Sequence, residues 1–242
     1  MLVLPIHPAP SLNLAIRPVL RISFFAAAGM ALVALGAAVY FFTYSPDRGR
    51  FPLRGIDVSH HQGAIDWDRV RGDDVAFVYV KATEGAYFVD PRFAANWQGA
   101  RRVGLPVGAY HFFNLCRPGR DQARNFLAVD LELGGNCVHR PAPEIFAGEL
   151  SAFVTEVERE QGREVIFYVT RDFLAAYGRS LPPRAIWRRS ILREPTQRRW
   201  TLWQYRKGIV ADVDGLVDLN VFYADAPSFA IWAGRPDSAS LR

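Results

Sequence analysis

The apolar and polar positions along the chain divide it into two unlike parts. From Ile22 to Tyr44 the run ISFFAAAGMALVALGAAVYFFTY carries no charge. About 23 residues of helix rise roughly 34 Å, enough to cross a ~30 Å hydrocarbon core. Phe24 and Phe25 sit at one end of the run, and Tyr40, Phe41, Phe42 and Tyr44 at the other, where interfacial aromatic belts are found. The apolar core of a cleavable signal peptide is shorter, roughly 7–15 residues, and ends in small residues. The pattern therefore predicts a transmembrane anchor over residues 22–44, after an N-terminal segment, 1–21, and before a polar linker, 45–53. A cleaved leader, which would leave a secreted protein, is the competing reading. Arg17 and Arg21 precede the span and Arg48, Arg50 and Arg54 follow it, so the positive-inside count does not orient it. Sidedness has to come from function.

From residue 54 to residue 225 the pattern is that of a folded domain. Eight short β-branched and aromatic runs read as strands: Gly55–Ser59, Phe77–Gly85, Val107–Phe113, Val129–Leu133, Val165–Thr170, Ala185–Ser190, Thr201–Tyr205 and Val217–Phe222. Helical spacing of apolar residues predicts helices over Pro91–Val103, Gly119–Leu127 and Glu144–Gln161, the last stopping before Gly162. Early strand–helix alternation followed by closely spaced strands predicts an α/β fold, a parallel (β/α) barrel of about eight strands that has lost helices toward its end. The tail, 226–242, holds one apolar cluster, PSFAIWAG, to which the pattern assigns no role.

Composition adds three constraints. Half of the 242 residues are hydrophobic, which excludes a disordered chain and allows one large core. The net charge is +5 with a pI of about 9.5, and all but two of the 29 basic residues are arginine, the exceptions being Lys81 and Lys207. The arginines are scattered and no nucleic-acid motif accompanies them, so nucleic acid is not an expected partner. Two cysteines, Cys116 and Cys137, are either unpaired core thiols or a disulfide. A bond would close a loop of ~20 residues, add on the order of 3 kcal/mol and require an oxidising compartment.

Candidate chemistry centres on AVDLELGGN, Ala128 to Asn136. Strand side chains alternate faces, so Asp130 and Glu132 point one way while Val129, Leu131 and Leu133 point the other. In a barrel of this kind, functional residues gather at the C-terminal strand ends. Asp57, Glu84, Tyr110, Asp130, Glu132, Tyr168, Gln204 and Asp218 all fall on the expected strands, with Trp187 and Trp203 expected as flat apolar faces at the same rim. Carboxylates ringed by aromatics suit a sugar. One protonated carboxyl and one ionised carboxylate are the parts needed to break a glycosidic bond. A D-x-E pair also serves in metal sites and in plain ion pairs. His60, His61 and His111 are available as ligands, but neighbouring histidines on a strand face opposite ways. No metal or other cofactor is expected.

Several of these stretches together resemble family 25 glycoside hydrolases, the muramidase-type lysozymes. They are DVSHHQGAIDW, VKATEGAYFVD, FAANWQGAR, GAYHFF, VDLELGGNC, TLWQY and VDLNVF, in order between Arg54 and Asp225. The resemblance implies a flattened barrel with an incomplete helix layer. It implies hydrolysis of the β-1,4 bond from N-acetylmuramic acid to N-acetylglucosamine in peptidoglycan, and so an extracytoplasmic domain in the periplasm or on the cell-wall side, with residues 1–21 in the cytoplasm. Carried over by residue, Glu132 matches the general acid/base. Asp130 matches its partner, which stabilises a reactive N-acetyl group or acts as nucleophile. Asp57 and Asp218 match two further pocket acids. Glu84 matches a signature glutamate that is equally a structural partner for Lys81, and Tyr110, Tyr168 and Gln204 match substrate contacts. Cys116 and Cys137 resemble a disulfide of some bacterial members. One departure stands out: ARNFLA runs straight into VDLEL, where the family usually has a longer connection. Either the helix unwinds early or the strand is displaced. A displaced strand would leave a wall-binding module that grips glycan without cutting it. A chitinase-like or endo-acetylglucosaminidase specificity is the third reading.

Overall fold

The computed structural model describes residues 12–123, 128–196, 200–211 and 213–234, with side chains from residue 22 onward. It separates into two units, Met1–Tyr44 and Ser45–Arg242. Among the described residues the first consists of one helix, α1 (Leu12–Thr43); its stretch Ile22–Thr43 is long and apolar enough to cross a membrane, and the side chains of that stretch are exposed.

The second unit is a closed barrel. In chain order it contains β1 (Arg54–Val58), α2 (Trp67–Gly72), β2 (Phe77–Glu84), a two-residue β3 (Phe88–Val89), α3 (Phe93–Arg102), β4 (Val107–Phe112) and α4 (Gly119–Gln122). Then come β5 (Ala128–Leu131), α5 (Pro143–Gln161), β6 (Ile166–Val169), α6 (Arg171–Tyr177), β7 (Ala185–Arg189), β8 (Leu202–Gly208), β9 (Val217–Phe222) and α7 (Ala226–Trp232). The barrel order is β1-β9-β8-β7-β6-β5-β4-β2, closed by parallel pairing of β1 with β2, and β3 only extends the end of β2.

Seven of the eight barrel strands run parallel. The eighth, β9, is antiparallel to both neighbours, which corrects the expectation of an all-parallel barrel. The reason is chain length. Only Ile209–Leu216 separates β8 from β9, and a parallel return needs a dozen or more residues. The helix layer is incomplete, as expected: among the described residues no helix joins β7 to β8 or β8 to β9. Three short helices that the apolar pattern did not reveal, α2, α6 and α7, complete the set.

Alternation along β5 sets the two layers of the core. Val129 and Leu131 face outward and are buried with Phe146, Leu150 and Phe153 on the apolar stripe of α5. Fully burying such a side chain stabilises by about 1.5–3 kcal/mol. Gly162 ends α5 in the left-handed conformation, φ 64°, which a Cβ would strain. Ala128 points inward, into a cluster with Phe77, Ile166, Trp187 and Phe222. The tail that the pattern left without a role supplies α7, capped by Asp225. Its Phe229 stacks on Phe77 at 5.2 Å and meets Phe222 at 5.1 Å.

The helix expected over Gly119–Leu127 stops at Gln122, and residues 124–127 lie outside the described residues. Gln122 ties this turn to the exit of β4: its Oε1 accepts from the Asn114 amide at 2.8 Å, and its Nε2 donates to the Asn114 and Arg117 carbonyls. β5 is not displaced. It pairs in register with β4 (Tyr110 beside Ala128, Phe112 beside Asp130) and with β6 (Asp130 beside Tyr168).

Candidate active site

The inward faces of the strands open at one barrel end onto a groove of about 580 Å³. Seven of the eight candidate side chains line it: Asp57, Tyr110, Asp130, Glu132, Tyr168, Gln204 and Asp218. Glu84 does not. It lies half-exposed in an ion pair with Lys81 at 2.6 Å, and it is Lys81 whose side chain lines the groove. Asp218 reaches the rim only because β9 is reversed. It stands near the start of its strand and sits opposite Asp57 in the antiparallel register of β1 and β9.

Glu132 is the first residue past the end of β5 and keeps the face that Asp130 sets. The turn that follows is held from both sides. Asn136 donates to the carbonyls of Phe113 (2.8 Å) and Glu132 (3.1 Å) and accepts from the Leu115 amide (2.9 Å). Next to it, Cys137 is bonded to Cys116, so the two cysteines form a disulfide. The crosslink closes the segment that contains α4, β5 and both acids of the D-x-E pair.

The groove gathers four largely buried carboxyls, so their affinity for protons rises. Burial pushes Asp130 well above the usual carboxylate range, and the charges of Glu132 and Asp57 push it further. Its Oδ1 is buried and accepts no hydrogen bond from the described residues. Burial also raises Glu132, partly offset by Arg189. Asp57 rises through burial and through Asp218, against two amide hydrogen bonds that pull it down. Burial raises Asp218 in turn, while Lys207 and Arg189 lower it. Tyr110 and Tyr168 are pushed well up by burial and by the surrounding carboxylates, so their hydroxyls stay neutral donors.

Two aromatic expectations divide. Trp187 is buried at the groove floor and donates its indole N–H to Asn220 Oδ1 at 2.8 Å. Trp203 is not at the rim. Strand alternation turns it outward beside Gln204, where it packs on Phe51 at 5.9 Å and donates to the Ser190 carbonyl. Tyr205, next in β8, accepts from Arg54 at 3.2 Å. His60 and His61 do not sit on a strand but in a tight turn, His60–Gln62, with their rings 4.1 Å apart. Asp90 holds His60 at 2.8 Å, and His61 lines the groove. His111, on the outward face of β4, is buried among Thr83, Gln122 and Phe153.

Residues that the sequence does not single out as site candidates but that lie at the groove include Arg189, Lys207 and, just beneath, Asn220. Period-two alternation could have found two of them: Arg189 follows Trp187 by two and Asn220 follows Asp218 by two.

The profile of glycosyl hydrolases family 25 matches residues 56–213, a span that runs from β1 through the loop before β9 and so takes in nearly every strand of the barrel. The chain belongs to glycosyl hydrolases family 25. Among relatives of this family-25 protein, a protein named YegX from Escherichia coli (strain K12) is 34% identical, over 76% of this chain and 77% of its own length. Lysozyme M1 of Streptomyces globisporus is 31% identical, over 72% and 69%. The structure of a family 25 glycosyl hydrolase from Bacillus anthracis superposes with a TM-score of 0.70 at 33% identity, covering 77% of this chain and 94% of that one. The bacterial lysozyme from Streptomyces coelicolor gives 0.64 at 27%, covering 76% and 98%. The family-25 barrel is therefore shared across nearly the whole of both solved chains.

Proposed function

We propose that this family-25 glycoside hydrolase is a membrane-anchored muramidase that cuts the β-1,4 bond from N-acetylmuramic acid to N-acetylglucosamine in peptidoglycan. One observation carries the reading: Asp130 and Glu132 come off the end of a single strand into one groove, and burial raises the proton affinity of both. Glu132 is the proton donor. Held above the ordinary carboxylate range, it keeps its proton into the pH region where glycosidic oxygens need one. It gives that proton to the leaving O4 of N-acetylglucosamine as the bond from C1 of the muramic acid breaks. As a carboxylate it then takes a proton from the incoming water, and a hydroxyl completes the new reducing end. Asp130 sits beside the reacting centre, its Oδ1 meeting no donor among the described residues, and in its ionised form steadies the positive charge that develops there. Tyr110 and Tyr168 supply neutral donors to sugar hydroxyls.

Residues 22–44 serve as the anchor, residues 1–21 as the cytoplasmic segment, 45–53 as the linker and 54–225 as the catalytic barrel, which faces the periplasm or cell wall. The disulfide fits an oxidising compartment. Purified protein incubated with peptidoglycan tests the reading. New reducing ends that vanish in Glu132→Gln support it. Bound but uncut glycan would instead make the barrel a wall-binding module, and undiminished cutting by Glu132→Gln would remove the assignment of the acid.

A further inference from the structure

Beneath the groove, four hydrogen bonds join five side chains into one chain that converges on a single carboxylate oxygen. The Tyr168 hydroxyl donates to Gln204 Oε1 at 2.9 Å, and Gln204 Nε2 donates to Asp57 Oδ2 at 3.2 Å. From the other side, Trp187 Nε1 donates to Asn220 Oδ1 at 2.8 Å, and Asn220 Nδ2 donates to the same Asp57 Oδ2 at 2.7 Å. Asn220 is wholly buried and Trp187 and Gln204 nearly so. An indole N–H can only donate. The Asn220 oxygen must therefore face Trp187, and its NH₂ must face Asp57. The orientation of this amide is fixed by chemistry rather than by choice.

We propose that Asn220, oriented by Trp187, is a positioning residue that holds Asp57 as an accepting carboxylate on the groove floor. The proposal rests on the muramidase reading and deepens it by assigning what keeps one of its acids charged. Asp57 needs such support. Asp218 stands opposite it on β9, Asp130 and Tyr110 face it from β5 and β4, and Lys207 on β8 is the cation that acts on it. Burial and Asp218 favour its protonated form, and the two amides and Lys207 favour the charged one. Hydrogen bonds to an ionised acceptor are the strong kind, and the shorter one comes from Asn220. A charge kept on Asp57 in turn pushes the proton affinity of Asp130 and Tyr110 upward. The clamp thereby steers protons away from Asp57.

The test compares kcat/KM against pH for wild type, Asn220→Ala and Trp187→Phe, using the full chain in detergent micelles and peptidoglycan as substrate. Losing a donor to a carboxylate raises its pKa. The acid limb of Asn220→Ala should move up by about one pH unit, roughly a tenfold loss at the acid end, with recovery at higher pH. Trp187→Phe should shift it the same way by less. Equal loss at every pH, an unchanged profile, or activity extended toward alkali overturns the proposal. If Asn220→Ala does not fold, Asn220→Ser and Trp187→Phe carry the test. If wild type cuts nothing, it is the muramidase reading that fails. The clamp is then read from the ¹³C titration of the Asp57 carboxyl, which must still move up in Asn220→Ala for the proposal to stand.

Discussion

Reducing the Cys116–Cys137 disulfide should weaken the barrel without disarming it. The crosslink joins residues 21 apart. In the chain-entropy description, closing a loop of that length removes about 11 cal/mol/K from the unfolded state, or about 3 kcal/mol at 25 °C. For a unit of about 200 residues this corresponds to a fall in Tm of about 6–12 °C. The activity should behave differently. Both acids sit on or just beyond β5, which is hydrogen-bonded in register to β4 on one side and β6 on the other. Those rungs, and the Asn136 bonds behind Glu132, do not depend on the sulfur bridge. A fragment spanning residues 45–242 can be melted with and without reductant, following tryptophan fluorescence, alongside a Cys116→Ser/Cys137→Ser double variant. The initial rate of reducing-end release at 25 °C should stay within about twofold in the reduced protein. An unmoved Tm would refute the loop-entropy argument. Loss of activity while the barrel remains folded would show that the bridge, not the sheet, holds the acids in place.

Three further outcomes follow from the buried charges. Asp130 has its folded pKa raised above the unfolded value, so wild type loses stability as pH rises through the folded pKa. Asp130→Asn should accordingly be more stable than wild type near pH 7, no more stable near pH 4, and inactive; denaturant titrations at the two pH values check this. His111 is the opposite case. Burial drops its pKa from 6.5 to about 4, so its contribution is intact above pH 6.5 and lost as pH falls toward 4, by about 3 kcal/mol. The stability difference between wild type and His111→Gln should shrink by about that amount over the same range, and parallel curves would contradict it. Arg189 holds the Glu132 proton affinity down. Arg189→Ala should move the alkaline limb of kcat to higher pH, and a limb that stays put or moves down would remove Glu132 as the group that limits it.

Much of the barrel could be read from period-two alternation, because most of its strands bury at least one face and the pattern survives in single letters. Strand direction could not. Alternation is the same read either way, and the reversal of β9 lay in the brevity of Ile209–Leu216 rather than in the strand itself. Trp203 was placed at the rim because it was read as an aromatic rather than by parity with Gln204, its neighbour on the opposite face. Helices α2, α6 and α7 are six or seven residues long, too short for a 3.6-residue period to repeat convincingly. The D-x-E pair was legible because two acids on one face of an otherwise apolar strand demand an explanation. Asn220 and Arg189 were not singled out, since an amide and an arginine carry no such demand until their partners are known. The disulfide came from resemblance; spacing alone left thiols and bridge equally open.

The reversed strand has a consequence for how this scaffold can change. Because β8 and β9 form a hairpin, the short connection between them contributes Asp214, Gly215 and Leu216 to the groove wall. A crossover would have carried that stretch of chain around the outside of the barrel. Insertions there lengthen one lip of the cleft and leave every rung of the cylinder untouched. That lip is where natural drift, or a protein engineer seeking tolerance for bulkier glycans, can reshape the opening at least risk to the fold.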